Sequence, residues 1–95
     1  MSYSFEWDEK KNLENICKHG VSFEMAQEAF FDVRRIIAKD TKHSTLKEPR
    51  FYCFAQTHDG IMTIRFTFRN EKIRIFGAGY WRKGKLFYEK ENNLH

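Results

Sequence analysis

The 95-residue sequence predicts an α+β fold: two N-terminal helices packed on a mainly antiparallel four-stranded sheet, followed by a short C-terminal helix. Two observations lead to this prediction. Apolar residues recur at helical spacing up to Phe31, and from Arg50 the period changes to two, which is typical of strands with one buried face. The length suits a single domain over residues 1–95 with one modest core.

The two predicted helices are bounded by capping residues. Asp8 can cap the first helix, and Gly20 accommodates the left-handed residue that ends it. We expect its buried face to carry Leu13, Ile16 and Cys17. Ser22 caps a second helix that extends to about Phe31, with an apolar face formed by Phe23, Ala26, Ala29 and Phe30.

Four strands are predicted after the helices. A short β-branched run at 35–38 indicates an edge strand, and the polar segment from Asp40 to Pro49 indicates a mobile loop. Three longer strands follow at Arg50–Thr57, Ile61–Phe68 and Lys72–Phe76. They are joined by the two-residue turns Asp59-Gly60 and Asn70-Glu71.

These turns fix an expected register, in which Phe54 lies opposite Arg65 and Tyr52 lies opposite Thr67. One face of the sheet is then apolar and forms the core: Phe51, Cys53, Ala55, Met62, Ile64, Phe66, Phe68, Ile73 and Ile75. The opposite face, here called the polar face, carries Arg50, Tyr52, Phe54, Arg65, Arg69, Lys72, Arg74 and Phe76.

Charge is concentrated in the second half of the chain. Residues 1–49 hold 8 Lys or Arg against 9 Asp or Glu, and residues 50–95 hold 9 against 4, so net charges of −1 and +5 give the total of +4. Cations gathered on one sheet face repel one another, so stability alone does not explain them. Cations interleaved with aromatic rings fit a nucleic acid, and an acidic protein segment is the alternative.

The chain beyond the last strand adds to this polar face. The run Gly77-Ala78-Gly79 ends regular pairing, and a terminal helix is predicted from about Trp81. This extension delivers Tyr80, Trp81, Arg82, Lys83 and Lys85. The spacing of Cys17 and Cys53 fits no metal motif, and no signal peptide or long apolar run is found, so we expect a cytoplasmic protein without a membrane role.

Two segments resemble the BrnT-type toxins of bacterial type II toxin–antitoxin systems. The N-terminal segment carries Phe5-Glu6-Trp7-Asp8, Lys11, Asn15 and Lys18-His19-Gly20-Val21-Ser22-Phe23. The central strands carry Arg50-Phe51, Thr67-Phe68-Arg69 and Ile73-Arg74-Ile75. The resemblance implies a RelE-like fold, RNA cleavage that stops translation, and a BrnA-type ribbon-helix-helix antitoxin in a complex with two copies of each chain.

One position departs from the pattern of the family that this chain resembles. Many members have Ser-Ala-Arg after the last strand, whereas this chain has Gly77-Ala78-Gly79, so the arginine is missing at Gly79. Either Arg82 or Lys83 supplies the charge from further along the chain, or the chain belongs to a subgroup with altered or lost activity.

RNA cleavage by its own 2′-hydroxyl needs a base, a cation for the phosphorane charge and an acid, and needs no metal or other cofactor. We expect Arg69 and Arg74 to stabilise the phosphate, because guanidinium groups bind phosphate oxygens bidentately. Arg65 and Arg82 widen this cradle. Tyr80 and Tyr52 are candidate proton donors, and Lys72 and Lys83 are alternatives for the same role. The expected RNA-binding residues are Arg50, Tyr52, Arg65, Lys72, Trp81, Lys83 and Lys85.

The histidines give no comparable signal. His58 is expected to be a turn residue and His19 to belong to a structural helix-ending motif, while His43 lies in the predicted loop. Two functions therefore stay open: a ribonuclease toxin, and a non-catalytic module that binds nucleic acid or antitoxin and acts as a co-repressor. Only the ribonuclease cuts RNA in excess chelator.

Overall fold

The computed structural model describes residues 3–94 of the chain. Its elements are, in order, β1 (Phe5–Glu6), α1 (Glu9–His19), α2 (Phe23–Ala26), a 3-10 helix (Gln27–Phe31), β2 (Ile36–Lys39), β3 (Arg50–Thr57), β4 (Gly60–Arg69), β5 (Lys72–Gly79) and α3 (Arg82–Glu91). No helix within the described residues is long and apolar enough to cross a membrane.

The sheet has five strands in the order β1-β5-β4-β3-β2. Strand β1 pairs with β5 in parallel, and the other neighbours are antiparallel. The predicted α+β class is confirmed, but the predicted four-stranded antiparallel sheet is corrected to a five-stranded mixed one. The sequence missed β1 because two residues are too few to show a period of two.

The hairpin between β3 and β4 turns one residue earlier than predicted. His58 and Asp59 form its loop, and Thr57 pairs with Gly60. Gly60 is the first residue of β4 and has a φ of 141°. Tyr52 therefore lies opposite Arg65 and not Thr67. Because this register shift is two residues, an even number, every side chain keeps its predicted face.

The turn between β4 and β5 is confirmed. Arg69 pairs with Lys72, and both loop residues, Asn70 and Glu71, have positive φ angles of 53° and 63°. A two-residue loop with both residues in this region matches the right-handed twist of the flanking strands.

The core lies between the apolar sheet face and the short helices α2 and 3-10. Seven residues of the predicted apolar sheet face are buried in it: Cys53, Ala55, Met62, Ile64, Phe66, Ile73 and Ile75. Phe23 of α2 is buried against them. Ala26, Ala29 and Phe30 are buried with them as predicted, and Phe51 packs at the margin. Phe68 is the exception at 56% exposure, although its ring contacts those of Phe51 and Phe66 at its edge.

Helix α1 begins and ends where the sequence predicts, but it buries the opposite face. The Asp8 side chain accepts from the backbone of the first turn, and Gly20 adopts a left-handed conformation with φ of 69°. Leu13 is 59% and Ile16 is 41% exposed, and Cys17 is exposed as well. The prediction that these three residues face the core is therefore wrong.

The buried face of α1 is formed by two asparagines. The Asn15 side chain donates to the carbonyls of Val21 and Ala78, both at 2.8 Å, and accepts from the Ala78 backbone N–H at 3.2 Å. Asn12 accepts from the Phe23 backbone N–H at 2.8 Å. Strand β1 pairs only with the beginning of β5, so the backbone groups of Ala78 need another partner, and an amide supplies both donor and acceptor.

Helix α3 covers one end of the polar face, which the sequence predicts to be open. Its Gly84 lies so close to β4 that a Cβ there would stand 2.1 Å from Thr63 Oγ1 and 3.1 Å from Phe54 Cδ1. The Phe87 ring packs against Phe54 with centroids 5.0 Å apart. A glycine in the helix thus permits a close approach that any other residue would prevent.

A second tie holds α3 through Asp32. Tyr88 Oη donates to Asp32 Oδ2 at 2.6 Å, and the Gln56 backbone N–H donates to the same oxygen at 2.7 Å. Burial alone would raise the pKa of the Asp32 carboxyl, but these hydrogen bonds and one from Arg34 hold it below its ordinary value. Burial and the bond to Asp32 raise the pKa of Tyr88 to about 12.

We expect Asn15→Ala to lower the free energy of unfolding by about 1–3 kcal/mol, because it leaves buried backbone groups of Val21 and Ala78 without partners. The matched control is Leu13→Ala on the same helix, which should change that free energy by less than about 0.5 kcal/mol since Leu13 is exposed. Urea denaturation followed by circular dichroism measures both. A larger loss for Leu13→Ala than for Asn15→Ala would contradict this orientation of α1.

We expect Gly84→Ala to destabilise the protein by about 1–3 kcal/mol, because the new methyl group collides with Thr63. Helix propensity alone predicts the reverse sign, a gain of about 1 kcal/mol. The double variant Gly84→Ala with Thr63→Ala should recover part of the loss in thermal unfolding, whereas Lys85→Ala serves as the neutral control. Stabilisation by Gly84→Ala would show that α3 does not pack this closely.

Candidate functional site

A groove of about 800 Å³ lies between α1, the polar face of the sheet and the first half of α3. Its floor comes from the sheet and is formed by Ala38, Arg50, Tyr52, Phe54, Thr63, Arg65, Phe76, Gly77 and Ala78. One wall is formed by Lys11, Glu14, Asn15, Lys18 and His19 of α1, and the other by Trp81, Lys83 and Phe87. A volume of this size accommodates a ligand of a few nucleotides or a peptide segment.

The lining of the groove is strongly cationic. Five of its side chains are Lys or Arg, namely Lys11, Lys18, Arg50, Arg65 and Lys83, and its one carboxylate is Glu14. In a concave site lined by low-dielectric aromatic walls, such charges concentrate anions from solution. The groove is therefore a site for an anionic ligand.

A β-bulge shapes the floor of the groove. Phe66 pairs with Ile75 and Arg65 pairs with Gly77, so Phe76 is the extra residue of β5 and its ring lines the groove. The Arg50 guanidinium stands 4.4 Å from the centroid of this ring, and Lys11 Nζ stands 5.5 Å from it. These cation–π contacts orient two cations without neutralising their charge.

Arg65 occupies the middle of the floor, between Tyr52 on β3 and Gly77 on β5. Among residues 3–94, no carboxylate oxygen lies within ion-pairing distance of its guanidinium. Arg50 differs, since its guanidinium is 3.1 Å from Glu48. Arg65 is therefore the arginine of the groove whose fork remains available to a ligand.

The two arginines expected to bind the scissile phosphate, Arg69 and Arg74, do not line the groove. Arg69 pairs with Glu48 at 2.6 Å, and Arg74 pairs with Glu6 at 2.8 Å. Hydrogen bonds from Arg69 and then from Arg50 lower the pKa of the Glu48 carboxyl, which keeps it ionised. Lys72 lies opposite Arg69 at the same turn, also outside the groove.

Three more expected residues line a second cavity, of about 390 Å³, beyond the α3 wall: Tyr80, Arg82 and Lys85. Tyr80 Oη is 3.0 Å from Thr57 Oγ1, and Trp81 borders both cavities. The structure thus brings together five of the eleven expected site residues in the groove: Arg50, Tyr52, Arg65, Trp81 and Lys83. Arg69 and Arg74 lie at the other end of the strands from Tyr80 and Arg82.

Position 79 has no room for the arginine that the sequence comparison led us to expect. The Trp81 ring lies over Gly79 so closely that a Cβ there would stand 2.6 Å from the ring atom Cη2. Of the two candidates to supply the charge, Lys83 lines the groove and Arg82 lines the second cavity. The geometry therefore favours Lys83 as the replacement.

The residues of the α1 wall were not expected in the site. Sequence analysis assigned no site role to the polar residues of α1, yet Lys11, Glu14 and Lys18 line the groove, and the His19 ring packs edge-on to Trp81 with centroids 5.0 Å apart. A signal was present: positions 11, 14, 15 and 18 follow the i, i+3, i+4, i+7 spacing of one helical face.

Comparison with known proteins identifies the family. Residues 7–84 match the model of the family described as "Ribonuclease toxin, BrnT, of type II toxin-antitoxin system". A search of curated proteins gave no match. The matched segment includes α1, the whole sheet except β1, and the beginning of α3, and therefore most of the groove. The chain belongs to the BrnT family of ribonuclease toxins of type II toxin–antitoxin systems.

Proposed function

We propose that this chain is an endoribonuclease that cleaves RNA in the groove without a metal ion and thereby inhibits translation in the cytoplasm. The observation that carries the proposal is the guanidinium of Arg65, which has no carboxylate partner among residues 3–94 and lies in a cationic groove lined with aromatic rings. A RelE-like fold and neutralisation by a BrnA-type antitoxin are part of the same proposal.

Binding in this groove would use two kinds of contact. The guanidinium of Arg65 forms a bidentate contact with the phosphate to be cleaved, while lysines of the two walls contact its neighbours on the strand. Unpaired bases stack on exposed rings such as Trp81 and Tyr52, which suits single-stranded or loop RNA.

The groove would contribute to catalysis mainly through charge. Attack of a 2′-oxygen on the adjacent phosphorus builds negative charge on the non-bridging oxygens, and donors already aimed at those oxygens stabilise the phosphorane. Arg65 is positioned for this without reorganisation, and Arg50 lies beside it, held over the Phe76 ring. A partly desolvated groove strengthens these interactions relative to water.

Arg69, Arg74, Arg82 and Tyr80 remain predicted catalytic residues, and their positions suggest a more specific role. We propose that Arg69 and Arg74 contact the RNA strand where it leaves the groove at one end, after exchanging their carboxylate partners for phosphate. Arg82 and Tyr80, with Lys85, would contact it at the other end. Lys72 would contribute only long-range attraction.

The partner proposed for this chain is a ribbon-helix-helix antitoxin. Membership of a toxin–antitoxin family implies an antitoxin and an RNA target. Ribbon-helix-helix proteins act as dimers, so the complex is proposed to contain two copies of each chain, in which the toxin also serves as a co-repressor.

The purified full chain, freed of its partner, should cleave a single-stranded RNA in excess chelator. Arg65→Ala should reduce kcat/KM by roughly 10²- to 10³-fold, because one oriented donor to the phosphorane is lost. The matched control is Lys72→Ala, because Lys72 is a cation of the same sheet that lies outside the groove. This variant should retain activity within about threefold, and its affinity for RNA should still fall as salt rises.

Three results would contradict this assignment. Intact RNA after incubation with the wild-type chain would favour the non-catalytic binding module. Full activity of Arg65→Ala together with inactivity of Arg69→Ala would move the reaction to the β4–β5 end of the sheet. Activity that disappears with chelator and returns with added Mg²⁺ would exclude the metal-independent mechanism.

Expression of this chain alone should arrest growth, and coexpression of the protein encoded by the neighbouring gene should restore it. Light scattering of the purified complex should give the mass of two copies of each chain. Species of only one copy each would contradict the proposed stoichiometry, and persistent arrest would contradict the proposed partner. Arg65→Ala expressed alone serves as the control and should permit growth.

A further inference from the structure

An Asp–His pair lies at the β2 side of the groove, outside the lining described above. Asp40 follows β2 directly, and its backbone N–H donates to the Arg50 carbonyl at 2.8 Å, so it continues the β2–β3 register opposite Arg50. By alternation, its side chain shares the sheet face of Ala38 and Arg50, both of which line the groove. The Asp40 side chain is only 4% exposed.

His43 contacts both oxygens of this carboxylate, one with its ring and the other with its backbone. Its ring Nδ1 is 2.8 Å from Asp40 Oδ2, and its backbone N–H donates to Oδ1 at 3.2 Å. Burial alone would raise the pKa of the Asp40 carboxyl, but the bonds from His43 and the charge of Arg65 lower it. An ionised carboxylate only accepts, so Nδ1 carries a proton, and the only ring nitrogen that can act as a base is Nε2.

The segment that carries His43 is tied to the sheet. Ser44 Oγ accepts from the Arg50 backbone N–H at 2.8 Å and donates to the Asp40 carbonyl at 2.6 Å. Thr67 Oγ1 donates to the Pro49 carbonyl at the other end of the segment. The sequence predicted a mobile loop here, whereas these bonds tie the segment on either side of His43 to the sheet. The His43 imidazole contacts Asp40 with 44% of its side chain exposed.

Charged groups from three elements surround the pair. Arg65 of β4 is close enough for its charge to act on Asp40. Arg50 of β3 lies opposite Asp40 in the strand register. Glu48, in the same loop, is engaged by Arg50 and Arg69. The Asp40 carboxylate that holds the imidazole therefore lies on the groove face of the sheet, within range of the charge of Arg65, where the proposed scissile phosphate would bind.

We propose that His43 is the general base of RNA cleavage and that Asp40 is the positioning residue that fixes its tautomer. This inference rests on the proposed ribonuclease function. Nε2 takes the proton of the 2′-hydroxyl, the 2′-oxygen bonds to phosphorus, and the bond from phosphorus to the 5′-oxygen breaks. The 5′-oxygen leaves with a proton from water, the imidazolium returns its proton to solvent, and the products are a 2′,3′-cyclic phosphate and a 5′-hydroxyl.

The test compares histidine variants of the full chain with an RNA oligonucleotide in chelator. His43→Asn keeps a donor to Asp40 but has no base, and should lower kcat by roughly 10²- to 10⁴-fold. Affinity for the matching 2′-deoxy oligonucleotide, which cannot be cleaved, should stay within about threefold. His43→Ala should regain activity when imidazole is added, and Asp40→Asn should lower kcat with little change in KM.

His58→Ala is the matched control, because His58 lies in the β3–β4 turn far along the strands, and it should behave like wild type. Full activity of His43→Asn would overturn the assignment. It would also be overturned if His19→Ala lost activity and added imidazole rescued that variant but not His43→Ala. A wild-type chain that does not cut RNA would instead refute the proposed function and this inference with it. Circular dichroism of each variant separates misfolding from loss of the base.

Discussion

The groove depends first on the Asn15 side chain. Its amide meets the backbone of Ala78 with both a donor and an acceptor, at a point where β5 pairs with β4 on one side and β1 no longer covers its other side. It also donates to the carbonyl of Val21. These three buried hydrogen bonds fix α1 in position and rotation, since a rotated helix would leave the backbone groups of Val21 and Ala78 unpaired. As a result, Lys11 and Lys18 line the groove while Leu13 faces solvent.

The second wall of the groove, formed by α3, is also held by a few specific contacts. Helix α3 is held by the bond from Tyr88 to Asp32 and by the close approach of Gly84 to Thr63, rather than by a broad apolar face. Both walls therefore rest on polar or steric fit, which specifies orientation more sharply than hydrophobic burial does. The apolar core beneath the sheet supplies the bulk of the stability and leaves the opposite face free for a ligand.

Charge pairing separates the cations of the polar face into two groups. Glu48 pairs with both Arg69 and Arg50 at one end of the sheet, and Glu6 pairs with Arg74, whereas Arg65 has no carboxylate partner in the described part of the chain. Partial neutralisation reduces the repulsion that five cations on one sheet face would otherwise create. It also concentrates the unpaired positive charge at the centre of the groove, next to the Asp40–His43 pair.

The sequence by itself determined the α+β class, the helix caps at Asp8 and Gly20, the division of each strand into two faces, and the family, because these depend on local periodicity, caps and short motifs. Five of the eleven expected site residues line the groove for the same reason. Only the tertiary structure decided the buried face of α1, the ion pairs of Arg69 and Arg74, and the contact of Asp40 with His43. The first two depend on which group lies opposite across the fold, and sequence spacing carries no record of that partner. The third is a contact between residues three apart, and it depends on the loop conformation that the hydrogen bonds of Ser44 with Asp40 and Arg50 hold.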